Sequence, residues 1–284
     1  MKRIVAGFIL TALSSPAVWA GEVIALKPMN SLYGGQVFLP CAILGEQTSC
    51  KLDTGANVSS VRESEKTLAL ETLGTSRYSS ASGSVVKCRN VSIPSWSIGS
   101  FERKNAEVVT CPHVDTRTDL NILGLDLLAS SAIKIAYPKM QLEISPEIFP
   151  ATMAAFEKDP VGHVLIPVGT GKAKAELETL GMLDTGAALT VVSLDYALAH
   201  PEYFTPVKEL SNGVDTHGNR LKSVLMIATF FVGGKQFVAE YAMAIDFTAI
   251  QKMTGEKVNF ILGHNILKHG TWYLDFPNRR WAVE

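Results

Sequence analysis

The chain repeats itself. Lys51-Leu52-Asp53-Thr54-Gly55-Ala56 returns as Met182-Leu183-Asp184-Thr185-Gly186-Ala187. Each copy is followed by an apolar run ending in glycine, Asn121-Ile122-Leu123-Gly124 and Asn259-Phe260-Ile261-Leu262-Gly263. A third pair, Ile135-Ala136-Tyr137-Pro138 and Leu274-Asp275-Phe276-Pro277, closes each half. Three motifs in one order at near-constant offset define an internal duplication, with a modest insertion between the motifs of the second copy. The period is far too long for a solenoid, so the repeat unit is a lobe. Two carboxylates in matching loops point to one site built from two halves.

The hydrophobic pattern places those carboxylates. Val37–Leu44 is extended and apolar, Gly45-Glu46-Gln47 turns the chain, and Thr48–Leu52 returns to deliver Asp53 at a strand end. Val164–Val168, the turn Gly169-Thr170-Gly171-Lys172 and a return strand do the same for Asp184. The Gly-Thr-Gly-Lys stretch lacks the earlier glycine and the following Ser or Thr of a phosphate loop, and reads as a turn. Short helical patterns lie near Val61–Leu73 and Leu194–His200, and extended segments at Val85–Ile93, Phe101–Thr110, Ser223–Val232 and Phe237–Ile245. The expectation is a mainly β protein, each lobe a small barrel-like unit with one short helix after Gly124 or Gly263.

Residues 1–20 read as an export leader. Lys2 and Arg3 give a positive start, Ile4–Leu13 an apolar run, and Val18-Trp19-Ala20 a small-residue exit before Gly21. The run is shorter than the ~20 apolar residues of a bilayer span, so no transmembrane segment is expected in the mature chain. The domain plan is therefore 1–20 leader, 21–145 first lobe, 146–160 linker and 161–284 second lobe. Prolines at 146, 150 and 160 mark the linker, with a helical turn expected over Ala151–Phe156. Of 26 basic residues the leader takes two, leaving 24 against 27 acidic. That balance favours neither nucleic acid nor an anionic membrane surface.

All four cysteines, Cys41, Cys50, Cys88 and Cys111, fall in the first lobe. An even count in an exported chain favours disulfides, and the short paired spacings or partnering histidines of a zinc site are missing. Three connectivities are open. Cys41 and Cys50 flank Gly45-Glu46 symmetrically and Cys88 and Cys111 flank Gly99-Ser100, which favours 41 with 50 and 88 with 111 as facing strand residues.

The paired Asp-Thr-Gly-Ala loops with their Ile-Leu-Gly strands resemble the aspartic proteases. The stretch Ile261-Leu262-Gly263-His264-Asn265-Ile266-Leu267 is particularly similar to the retroviral type, here as two tandem retropepsin-like lobes of bacterial type in one chain, arranged like the pepsin-like enzymes. The resemblance implies a two-lobed acid-protease fold, a monomer, a peptide or protein substrate and no cofactor or metal. It implies that Asp53 and Asp184 are catalytic, and that Thr54 and Thr185 bond across to the opposite loop. Gly55 and Gly186 let each loop turn sharply beside the carboxylate without a clashing Cβ, and the resemblance also implies that hairpin flaps cover the substrate. Candidates for the flap tips are Ser82 and Gly83 in the first lobe and Thr216, His217 and Gly218 in the second. Tyr78, just before the first tip, departs from the pepsin-like flap spacing and reads as a core or surface residue.

The chemistry asks for these residue types. Hydrolysing an amide without metal or covalent intermediate needs a base for water and an acid for the carbonyl oxygen. Two carboxyls close enough to share one proton supply both, the aspartic proteases being the standing example. Ala56 and Ala187 stand where pepsin-like loops carry a hydroxyl that would stabilise the ionised carboxylate, so an optimum in mild acid to near neutrality is expected. No Gly-x-Ser-x-Gly or His-Glu-x-x-His occurs, and His264 and His269 read as surface or C-cap residues. The alternative reading is a catalytically silent, peptide- or protein-binding relative in the cell envelope.

Overall fold

The computed structural model describes residues 22–111, 121–145, 150, 152–214, 219–255 and 258–284, without side chains at 210–214. The leader segment, part of the 146–160 connector and the tip candidates Thr216, His217 and Gly218 lie outside these residues.

Each half forms an eight-stranded sheet, and the strand orders correspond one for one. In the first half Glu46–Leu52 runs parallel to Asn121–Leu123, with Leu52 opposite Leu123. In the second, Leu177–Leu183 runs parallel to Val258–Leu262, with Leu183 opposite Leu262. Each sheet closes toward a barrel through one extra pairing, Gly35–Ile43 with Val85–Ile98 and Val164–Thr170 with Arg220–Val232. Along Gly35–Ile43 the even period of a strand turns Val37, Leu39, Cys41 and Ile43 inward. The second barrel is filled by Phe230 and Phe260, which meet edge to face with ring centres 5.8 Å apart. The architecture is the mainly β, two-lobed one that the duplication implies.

A six-stranded sheet joins the halves. Its centre is the repeated closing segment: Ala132–Ala136 pairs antiparallel with Thr271–Asp275, Lys134 opposite Tyr273. Ala154–Ala155 adds an edge strand against Arg280 and Trp281. A helical turn was expected there; instead Met153 and Phe156 are buried while the two alanines between them are exposed, and Phe156 packs edge-on to Phe276.

Two disulfides staple the first lobe, Cys41–Cys50 and Cys88–Cys111. Cys88 and Cys111 continue the register in which Arg89 faces Thr110, with Cα atoms 4.4 Å apart. Cys41 and Cys50 do not face each other. Cys41 lies opposite Thr48 and Cys50 opposite Leu39, so that bridge runs diagonally across 6.0 Å between Cα atoms.

His264 is not a surface residue. It opens the short helix His264–Leu267, all four residues of which are buried, and its ring stands edge-on to Tyr137 with centres 5.3 Å apart. Burial, then the charges of Lys268 and His269, lower its pKa. His269 is exposed and bonds Glu240 at 2.9 Å.

Candidate active site

Both Asp loops leave a strand that is hydrogen-bonded on its far side by the glycine strand. The Asp53 N–H donates to Leu123 O at 3.0 Å and the Asp184 N–H to Leu262 O at 3.1 Å. A Cβ on Gly124 would strike the backbone of Ala56, Val58 and Ser59, and one on Gly263 the backbone of Leu189 and Thr190. Glycine is required there because the two backbones touch. Beneath the loops a second pair of polar groups repeats: Ser59 Oγ donates to Asp126 at 2.5 Å and accepts from Gly124 N–H, while Thr190 accepts from Gly263 N–H and donates its own N–H to Asn265 at 2.7 Å. Burial raises the Asp126 pKa against the pull of the Ser59 bonds. The signal for this pair lay in the sequence as an Asp and an Asn two residues after each motif glycine.

The loops interlock through their threonines. Thr54 Oγ1 donates to Leu183 O at 2.7 Å and accepts the Thr185 N–H at 3.0 Å. Thr185 Oγ1 returns the pattern to Leu52 O at 2.9 Å and Thr54 N–H at 3.0 Å. Both threonines are fully buried, so all four bonds are shielded from water. Thr54→Val removes one hydroxyl and leaves Leu183 O and Thr185 N–H unpaired. The unfolding free energy is expected to fall by about 3 kcal/mol, measured by denaturant titration.

This grip sets Asp53 and Asp184 against each other's loops. A Cβ on Gly55 would overlap the Asp184 carboxyl, and one on Gly186 the Asp53 carboxyl. Asp53 accepts from Gly55 N–H at 3.1 Å, and Asp184 from Gly186 N–H at 2.8 Å and Ala187 N–H at 3.0 Å. Gln36 Nε2 donates to Gly186 O at 2.7 Å from the first lobe. Burial first, then the Asp53 charge, push the Asp184 pKa up to about 7, against the opposing pull of Lys51 and the two loop N–H groups. Lys51 was not singled out from the sequence, yet its ammonium meets Asp53 Oδ2 at 2.7 Å. A lysine two residues before an aspartate at a strand end shares its face, which is the signal that could have found it.

Beside Asp184 a cavity of about 420 Å³ opens between the lobes. Apolar walls come from Val61, Ile122, Met182, Ile250 and Met253. Tyr78 lines it too, half-buried on the strand Thr72–Ser79, so it is neither core nor outer surface. His163 borders it from the second lobe, its Nδ1 held by Asp159 at 2.7 Å. Burial works to raise the Asp159 pKa, but His163 and the loop N–H groups of Gly162 and His163 hold it below the usual value. The 80–84 turn, with Ser82 and a left-handed Gly83, reaches the other lobe: a Cβ on Gly83 would lie 3.0 Å from that of Ala249, and Asn219 Nδ2 donates to Ser84 Oγ at 2.8 Å.

Residues 39–127 match a family model described as aspartyl protease. Among solved structures, the aspartic proteinase from Irpex lacteus is similar at 14% identity and a TM-score of 0.55, over 93% of this chain and 97% of that one. Comparison with curated proteins finds no match. The structural likeness defines the class, a two-lobed β protein of aspartic-proteinase fold. The family match covers the first lobe, and the structural likeness extends the same fold over nearly the whole chain.

Proposed function

We propose that the chain is an aspartic endopeptidase that hydrolyses peptide bonds with a water held between Asp53 and Asp184. The observation that carries this reading is the mutual seating of the two carboxyls: each is packed against the glycine of the opposite loop, and the loops are locked by reciprocal threonine bonds. Ionised Asp53 takes a proton from the water, and the oxygen so activated adds to the substrate carbonyl carbon. Protonated Asp184 gives its proton to the carbonyl oxygen, forming a neutral diol. In the second step Asp53 passes its proton to the leaving nitrogen and Asp184 recovers one from a diol hydroxyl. The carbon–nitrogen bond then breaks, and the pair returns to its starting state.

The apolar walls beside Asp184 suit a peptide with apolar side chains flanking the cleaved bond. One chain carries both aspartates, so the proposed site needs no second copy, and a monomer is the proposed unit. We further propose 1–20, 21–145, 146–160 and 161–284 as leader, first lobe, linker and second lobe, and export to the periplasm or medium. The two disulfides are consistent with that compartment, and no helix among the described residues is long and apolar enough to cross a membrane.

The test is exposure of a complex peptide mixture to the protein, with products read by mass spectrometry in the presence and absence of pepstatin. New termini that disappear with pepstatin are expected; intact peptides, or cleavage indifferent to it, would overturn the reading. The pH dependence has a definite sign. Catalysis needs Asp184 protonated, and its pKa stands at about 7, so kcat/KM is expected to hold through mild acid and fall as pH rises past that value. A profile confined to strong acid contradicts this.

A further inference from the structure

Within the six-residue motif around each aspartate the two copies differ at a single position. Lys51 in the first copy corresponds to Met182 in the second. Both are buried, at 5% and 3% exposure, but one brings a charge and the other none. We propose that Lys51 is a positioning residue for the pair: its ammonium fixes Asp53 as the ionised member and leaves the shared proton on Asp184. The assignment rests on the endopeptidase reading and deepens it, because it decides which carboxyl is base and which is acid.

The geometry argues for it in three ways. Lys51 Nζ lies 2.7 Å from Asp53 Oδ2, with the two side chains only 6% and 8% exposed, so the attraction is little screened by water. Asp184 makes no ion pair among the described residues; its partners are the uncharged N–H groups of Gly186 and Ala187. And Lys51 is enclosed, at 5% exposure. It sits inside the strand Glu46–Leu52, with Phe38 opposite it on one neighbouring strand and Ile122 on the other.

Charge counting gives the consequence. A buried pair of carboxyls carrying one proton has a net charge of −1; with the ammonium beside it the cluster is neutral, the form an interior tolerates best. Burial alone would discharge Lys51, but Asp53, with Asp184 behind it, keeps its pKa above the ordinary value. The other titratable or charged groups near the pair are the Tyr137 hydroxyl, which burial and the Asp184 charge hold in its neutral form, His264 against Tyr137, and Arg62, Arg77, Tyr78 and His163 along the cavity wall. None of these supplies a charge in contact with Asp53. Removing the ammonium withdraws stabilisation from every ionised form of the pair, so both apparent ionisations move up. The one on the acid side moves more, because the state it creates has its charge on the carboxyl that touches Lys51.

Carboxyl-carbon NMR titration of the full chain labelled at aspartate tests this without requiring turnover. Resonances are assigned from Asp53→Asn and Asp184→Asn. In the wild type the carboxyl protonated in mild acid is expected to be Asp184; finding the proton on Asp53 overturns the proposal. In Lys51→Met, which installs the second copy's residue, the acid-side ionisation of the pair is expected to rise by ~1 pH unit or more, whereas Lys51→Arg keeps it near the wild-type position. An unchanged titration in Lys51→Met overturns the proposal even if peptides are cleaved. If the variant does not fold, the wild-type spectrum decides alone. In the pH profile of kcat/KM, Lys51→Met should lift the acid limb and narrow the bell with KM little changed, which a merely space-filling lysine would not do. A titration that behaves as expected in a protein that cleaves nothing removes the endopeptidase reading and leaves the charge assignment standing.

Discussion

Asp53→Asn and Asp184→Asn are each expected to lower peptide cleavage by at least ~10³-fold, the scale of losing a positioned general acid or base. Their effects on stability should differ. Asparagine keeps the shape of either side chain but cannot ionise. At Asp184, where burial and the Asp53 charge already disfavour the anion, the neutral isostere removes a penalty. Stability near neutral pH is therefore expected to be unchanged or slightly higher. At Asp53 the same change strands the buried Lys51 ammonium, a loss of about 3 kcal/mol on the scale of breaking a buried pair. Denaturant unfolding of both variants beside turnover measurements checks the contrast. Equal stabilities would contradict the buried ion pair, and equal turnover to the wild type would remove the enzymatic role.

The second large effect concerns shape alone. Gly186→Ala places a methyl where the Asp53 carboxyl now stands, and Gly55→Ala does so against Asp184. The loops are held by the threonine bonds and by the glycine strands behind them, so the carboxyls must move instead. A displacement on the order of 1 Å costs roughly 10²-fold in rate, and kcat is expected to fall by that factor in each variant while the protein stays folded. A double variant should be no worse than the product of the singles. Full activity in Gly186→Ala would show that the carboxyls do not face each other's loops in solution.

The acid-base property of Asp184 also reaches the fold. Its pKa is raised, so the native state holds a proton that the unfolded chain gives up near the ordinary Asp value of 3.8. Where the native state binds more protons, stability falls as pH rises. The Asp184 contribution to stability therefore declines as pH rises from about 4 to about 7 and stays lost above that, the reverse of a salt-bridged carboxylate.

Much of this was legible before any coordinates, because duplication is a global signal carried by local words. Asp-Thr-Gly at a strand end and Ile-Leu-Gly downstream require the same parallel pairing in each half, and the repeated closing segments became the central strands of the sheet between halves. The cysteine pairs were readable from hairpin symmetry, although the diagonal course of Cys41–Cys50 was not, since a register displaced by two residues leaves the same face inward. What failed were judgements about single side chains. In the sequence His264 reads as a surface or C-cap residue and Tyr78 as core or surface, but one opens a helix whose every residue is buried and the other stands beside a cavity made by two lobes. The stretch Ala151–Phe156 looked helical because four of its six residues favour helix, yet two buried anchors, Met153 and Phe156, flank an edge strand at Ala154–Ala155. Lys51 was hidden for a different reason: a lysine next to a motif reads as solvated until the neighbouring strands are seen to enclose it.

A crystal structure of the chain bound to pepstatin measures the central arrangement most directly. The account predicts the inhibitor's central hydroxyl within hydrogen-bond distance of both Asp53 and Asp184, its backbone running beneath the 80–84 turn. Carboxyl oxygens too far apart to share that hydroxyl, or an inhibitor seated away from them, would contradict it.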